Sequence, residues 1–80
     1  MATYSYDYIL RNLDDDEIVD VKNFEITAGL FVRRQVKIQL DTAEFKYREY
    51  KGLFDTTFVI YGEMSGADLK ALVRWVRKMP

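Results

Sequence analysis

Apolar and polar residues alternate from the start of the chain. Over residues 3–11, Tyr4, Tyr6, Tyr8 and Leu10 fall on one side and Ser5, Asp7, Ile9 and Arg11 on the other, a period of two that predicts a strand. Residues 12–17 are polar and acidic and predict a turn. Over residues 18–27, Val19 and Val21 hold one phase and Phe24 and Ile26 the opposite one, which predicts a bulge or bend near Lys22 and Asn23. Residues 30–40 alternate most cleanly: Val32, Arg34, Val36, Ile38 and Leu40 interleave with Arg33, Gln35, Lys37 and Gln39, as in an amphipathic strand.

Residues 41–52 support two readings. Phe45 and Tyr47 continue a strand alternation, whereas Asp41-Thr42-Ala43-Glu44 matches a capping box and Gly52 a helix stop, which would give a short helix at 42–51. The strand reading is favoured. Residues 56–61 are β-branched and aromatic on both faces, predicting a central strand covered on both sides. Ser65 reads as an N-cap with Asp68 three residues on. Leu69, Leu72, Val73 and Val76 then recur at helical spacing, predicting a helix over 66–78. The sum is a small two-layer α+β domain: a mainly antiparallel sheet of four to five strands with one C-terminal amphipathic helix. No internal repeat and no linker is evident, and 80 residues make one domain, 1–80.

Composition narrows the chemistry. Histidine and cysteine are both absent, which removes zinc sites, thiolate nucleophiles and histidine-based triads and leaves carboxylate, lysine or tyrosine chemistry. The cluster Asp14, Asp15, Asp16 and Glu17 lacks the ligand spacing of a calcium loop and reads as a solvated turn. The four glycines form no phosphate-binding loop. No cofactor, no metal and no enzymatic activity are therefore expected. Without cysteine a reducing, cytoplasmic setting is the simpler expectation. The start of the sequence has no signal-peptide pattern, and no apolar run is long enough to cross a bilayer, so no membrane partner is expected.

The net charge of −1 conceals an asymmetry: residues 1–28 sum to −5 and residues 29–80 to +4. Aromatic density is the other unusual feature, and tyrosine, tryptophan and arginine are the side chains enriched at binding hot spots. A domain with one helix leaves a sheet face open, where Tyr4, Tyr6, Tyr8, Arg33, Arg34 and Lys37 would form a protein-binding surface. Asp14, Asp15, Asp16 and Glu17 would add electrostatic selectivity.

The expectation is a non-catalytic protein-interaction module, a small inhibitor or accessory protein whose size and missing catalytic residue types parallel phage and mobile-element products that bind a host protein or complex. A homodimer through edge strands or open sheet faces fits the same reading. The alternative is a nucleic-acid-binding module using the basic face of the C-terminal helix, Lys70, Arg74, Arg77 and Lys78, with Trp75.

Overall fold

A computed structural model describes residues 2–5, 18–22 and 24–78. These form β1 (Ala2–Ser5), β2 (Ile18–Asp20), β3 (Phe24–Gly29), α1 (Arg33–Thr42), β4 (Lys46–Lys51), β5 (Asp55–Tyr61), β6 (Glu63–Ser65) and α2 (Gly66–Lys78). Strands β1, β3, β5 and β4 make one antiparallel sheet in that order, and β2 pairs with β6 in a second, two-stranded one. The fold is the compact α+β class expected, with a C-terminal helix, but it contains a second helix and splits its strands between two sheets.

One sheet face makes the core. Register pairs Phe24 with Ile60, Ile26 with Phe58 and Ala28 with Thr56, so these six side chains share a face, and all are buried. Val32, Val36 and Leu40 from α1 and its entry pack on them with Leu69, Leu72, Val73 and Val76 of α2. Both helices thus cover the same side. On the opposite face Glu25, Arg48, Tyr50 and Tyr61 are exposed and Thr27, Thr57 and Val59 half-buried. Strand β5 is central in its hydrogen bonding, with a neighbour on each side, and among the described residues both helices cover the same one of its faces.

The stretch expected as the cleanest strand is helix α1. Val32, Val36 and Leu40 satisfy a period of two, but they also recur every four residues, which puts them on one helical face. Arg34 and Ile38, which a strand would align with them, are exposed. The helix ends in a Schellman arrangement: the Phe45 amide donates to the Leu40 carbonyl at 3.0 Å and the Glu44 amide to the Asp41 carbonyl at 3.1 Å. Glu44 takes the left-handed conformation (φ 60°) that this ending requires. The acidic spacing read as a helix start is therefore a helix end. The helix considered at 42–51 is replaced by β4, in agreement with the favoured strand reading.

The phase shift near Lys22 and Asn23 marks a change of sheet. The chain leaves β2 through a turn in which the Phe24 amide donates to the Val21 carbonyl (3.2 Å), then enters β3. Gly62 makes the matching exit from β5 to β6 with φ 88°, a conformation open to glycine at little cost, and its carbonyl accepts from the Val21 amide at 2.9 Å. Helix α2 has the limits expected from sequence, and the Asp68 amide donates to Ser65 Oγ at 3.1 Å as the N-cap reading requires.

Candidate functional site

The pairing of β3 with β5 ends at Gly29 opposite Asp55. The residues just beyond that pair, Leu30 and Phe31 after β3 and Leu53 and Phe54 before β5, therefore leave the sheet at the same end. Each pair occupies the centre of a tight turn. The Val32 amide donates to the Gly29 carbonyl at 3.1 Å, closing a turn around Leu30-Phe31. The Gly52 amide donates to the Asp55 carbonyl at 2.7 Å, so Leu53-Phe54 is the two-residue loop of the β4–β5 hairpin. The tripeptide Gly-Leu-Phe thus occurs twice, at 29–31 and 52–54, and both copies sit at the same end of the sheet.

All four apolar side chains face solvent: Phe31 is 92% exposed, Leu53 82%, Phe54 73% and Leu30 48%. Turn chemistry alone would not choose them. Two-residue hairpins favour Asn-Gly or a similar pair with positive φ, which matches the strand twist. Here neither Leu53 nor Phe54 has positive φ, since Glu44 is the only non-glycine described residue that does. Gly52 is held to glycine by crowding: a Cβ there would stand 2.8 Å from Asp55 Oδ1 and 3.2 Å from the Asp55 carbonyl oxygen. With its amide nitrogen turned inward, Gln35 donates to the Phe31 carbonyl at 2.9 Å and the Val32 carbonyl at 3.2 Å, fixing the first turn to α1.

Comparison with protein-family models, curated proteins and solved structures gives no match.

Cations flank the two turns along the chain. Arg33 and Arg34 are exposed in the first turn of α1, and exposed Lys51 precedes the second turn. Among the described residues none of the three forms an ion pair. That turn holds no acidic residue, and its N-cap, Val32, contributes no side-chain hydrogen bond, although the peptide dipoles there favour negative charge.

Lys37, by contrast, is engaged within the fold. Its ammonium donates to Glu49 Oε1 at 2.8 Å and to the Tyr47 hydroxyl at 3.0 Å, and that hydroxyl donates in turn to Asp41 Oδ1. The chain of contacts ties α1 to β4, with the Tyr47 ring edge-on to Phe58 at 5.7 Å. Glu49 first and Tyr47 second hold the Lys37 ammonium above the usual lysine value. Burial, then the bond to Asp41, raises the Tyr47 phenol above its ordinary 10.0.

The other sequence candidates are placed as follows. Tyr4 pairs with Ile26 in the β1–β3 register; its side chain, and Tyr6, Tyr8, Asp14, Asp15, Asp16 and Glu17 entirely, lie outside the described residues. Arg33 and Arg34 lie on α1 beside the tip and not on an open sheet face. On α2, Arg74, Arg77 and Lys78 are exposed and Lys70 is half-buried, while Trp75 packs against the core. Lys70 and Arg77 have partners within the fold.

The open sheet face carries Tyr50 and Tyr61, with the Arg48 guanidinium 5.5 Å from the Tyr61 ring centroid. Among the described residues its cations Lys46 and Arg48 are matched in number by Glu25 and Asp55. Among the described residues no acidic cluster is placed to hold a metal, and no helix is long and apolar enough to cross a membrane. Sequence reading missed the tip, although the recurring Gly-Leu-Phe was present to be found.

Proposed function

We propose that this protein is a non-catalytic interaction module, a small inhibitor or accessory factor, that docks the tip formed by its two Gly-Leu-Phe turns into a partner protein. The observation that carries this reading is the exposure of Leu30, Phe31, Leu53 and Phe54 together at one end of the sheet. Scattered exposed apolar residues need no explanation, but a cluster on paired turns that forgo the usual turn residues does.

Full burial of an exposed leucine or phenylalanine side chain is worth about 1.5–3 kcal/mol, so the four, with Leu30 already half-covered, would contribute roughly 4–9 kcal/mol on docking. Association itself costs about 4–15 kcal/mol. The tip is thus large enough to anchor a complex and too small to be the whole interface, which leaves a part for the surrounding charges. Residue types support the same reading: phenylalanine and arginine are enriched at interface centres.

The test is capture of partners from source cells with nuclease present and at two salt concentrations, comparing the natural chain with a Leu53→Asn/Phe54→Gly variant. Retention of one defined protein by the natural chain and its loss by the folded variant is the expected result. Capture that disappears with nuclease would instead favour the cations of α2 and a nucleic-acid partner.

A further inference from the structure

Resting on the protein-docking reading of the tip, we infer that its partner presents an apolar cleft rimmed by carboxylates, which receives the two Leu-Phe pairs and meets Arg33 and Arg34 at its edge. The occupant follows from shape and charge together. Both turns lie at one end of the sheet with their Leu-Phe pairs exposed, so a surface that covers both pairs at once is a cleft. Arg33, Arg34 and Lys51 flank the two turns, exposed and without an ion pair among the described residues, and Asp55 is the one acid adjoining them in the two turns.

The first turn of α1 makes the charge argument sharper. Its exposed amides favour acids, yet the sequence places two arginines there and leaves the N-cap without a side-chain bond. In the isolated chain this arrangement opposes helix stability. Against a carboxylate rim the same two guanidinium groups gain charge-assisted hydrogen bonds. A second copy of the tip is the wrong occupant, because it would set Arg33 and Arg34 against their own equivalents, and like charges facing across an interface disfavour association.

The experiment uses the full chain with a photoreactive leucine analogue at Leu30 or at Leu53, and, as a control on α2, at exposed Ala71. Irradiation in source-cell extract, followed by peptide mapping, should give one and the same protein from the two tip positions, labelled on peptides that contain both large apolar and acidic residues. Arg33→Glu/Arg34→Glu should weaken binding to that purified protein by about ten-fold or more, mainly through slower association, without lowering the melting temperature of the chain. Changing a carboxylate of the labelled peptide to lysine should restore binding of the doubly substituted chain. Arg33→Gln/Arg34→Gln, which keeps polarity and removes charge, should fall between.

Tip labelling that is undiminished by charge reversal would keep the docking tip and overturn the acidic rim, as would labelled peptides without acids. Conjugates between copies of the chain, or binding to phosphatidylserine vesicles in place of protein, would overturn it too. Labelling of a protein from Ala71 alone would remove the tip while leaving an interaction protein; no protein conjugate from any position would end both readings.

Discussion

Gly29 and Asp55 are the last cross-strand pair between β3 and β5, and this one pairing joins two turns 23 positions apart in sequence into a single apolar tip. The separation matters because neither turn alone presents more than one Leu-Phe pair. The sheet register therefore creates the site, and whatever fixes the register, chiefly burial of Ile26 against Phe58, fixes the geometry presented to a partner.

Stability and binding should separate at the hairpin. Leu53→Asn/Phe54→Gly lets the loop switch to the positive-φ turn that two-residue hairpins prefer, so the unfolding free energy from urea denaturation should hold or rise, by up to about 1 kcal/mol. Binding to the captured partner should fall by roughly 2–4 kcal/mol, as for loss of a hot-spot pair. Titration calorimetry beside the unfolding curve checks both. A variant that unfolds more easily and still binds would assign Leu53 and Phe54 to folding.

Glu44 offers a stabilising change remote from binding. A side chain held at φ 60° costs about 1–2 kcal/mol relative to the right-handed conformation, a cost glycine escapes while losing some unfolded-state advantage. Glu44→Gly should raise the unfolding free energy by about 0.5–1 kcal/mol with an unchanged denaturant slope, and Glu44→Val should lower it. No change for either substitution would mean that the Schellman ending of α1 contributes little.

Some elements were legible because one signal pointed to one structure. Helix α2 has a cap at Ser65, a period near 3.6 and a basic last turn, all in agreement. Helix α1 differs from the strand expected because Val32, Val36 and Leu40 fit both periods. Only tertiary burial separates the two, by leaving Arg34 and Ile38 outside. The break between β2 and β3 left its trace as a phase shift, but a bulge and a change of sheet produce the same trace. At the proposed site, Arg33 and Arg34 are candidates by residue type alone, whereas the tip depends on which turns the register brings to one end of the sheet. That relationship is non-local, and the repeated Gly-Leu-Phe was its one local sign.

Alkaline pH should loosen the contact between α1 and β4. The folded state raises both the Lys37 ammonium and the Tyr47 phenol above their usual values of 10.5 and 10.0. Groups raised in this way contribute fully below their unfolded values and lose that contribution as pH rises through the folded ones. Stability should therefore stay level to about pH 9 and decline above about pH 10. Tyr47→Phe should flatten the decline, and Glu49→Gln should lessen the part due to Lys37. Denaturation curves between about pH 8 and pH 11 measure the difference; equal slopes for the natural chain and Tyr47→Phe would overturn the assignment.

Thr56 provides the control that separates a firmer core from a better binder. Its side chain is buried between the Ala28 and Lys51 positions, one residue from Asp55, and its Oγ1 has no hydrogen-bond partner among the described residues. A buried hydroxyl without a partner costs about 1–3 kcal/mol. Thr56→Val keeps the branched shape, removes the unsatisfied oxygen and should stabilise the chain by about 1 kcal/mol. Thr56→Ser retains the oxygen, loses a methyl contact and should destabilise it by a similar amount. Because the substitution lies under the sheet and leaves both Leu-Phe pairs in place, Thr56→Val should bind the partner as the natural chain does. If it were destabilising, the hydroxyl would contribute a hydrogen bond to the fold; if it strengthened binding, rigidity of the β5 end would belong to the docking mechanism alongside the apolar tip.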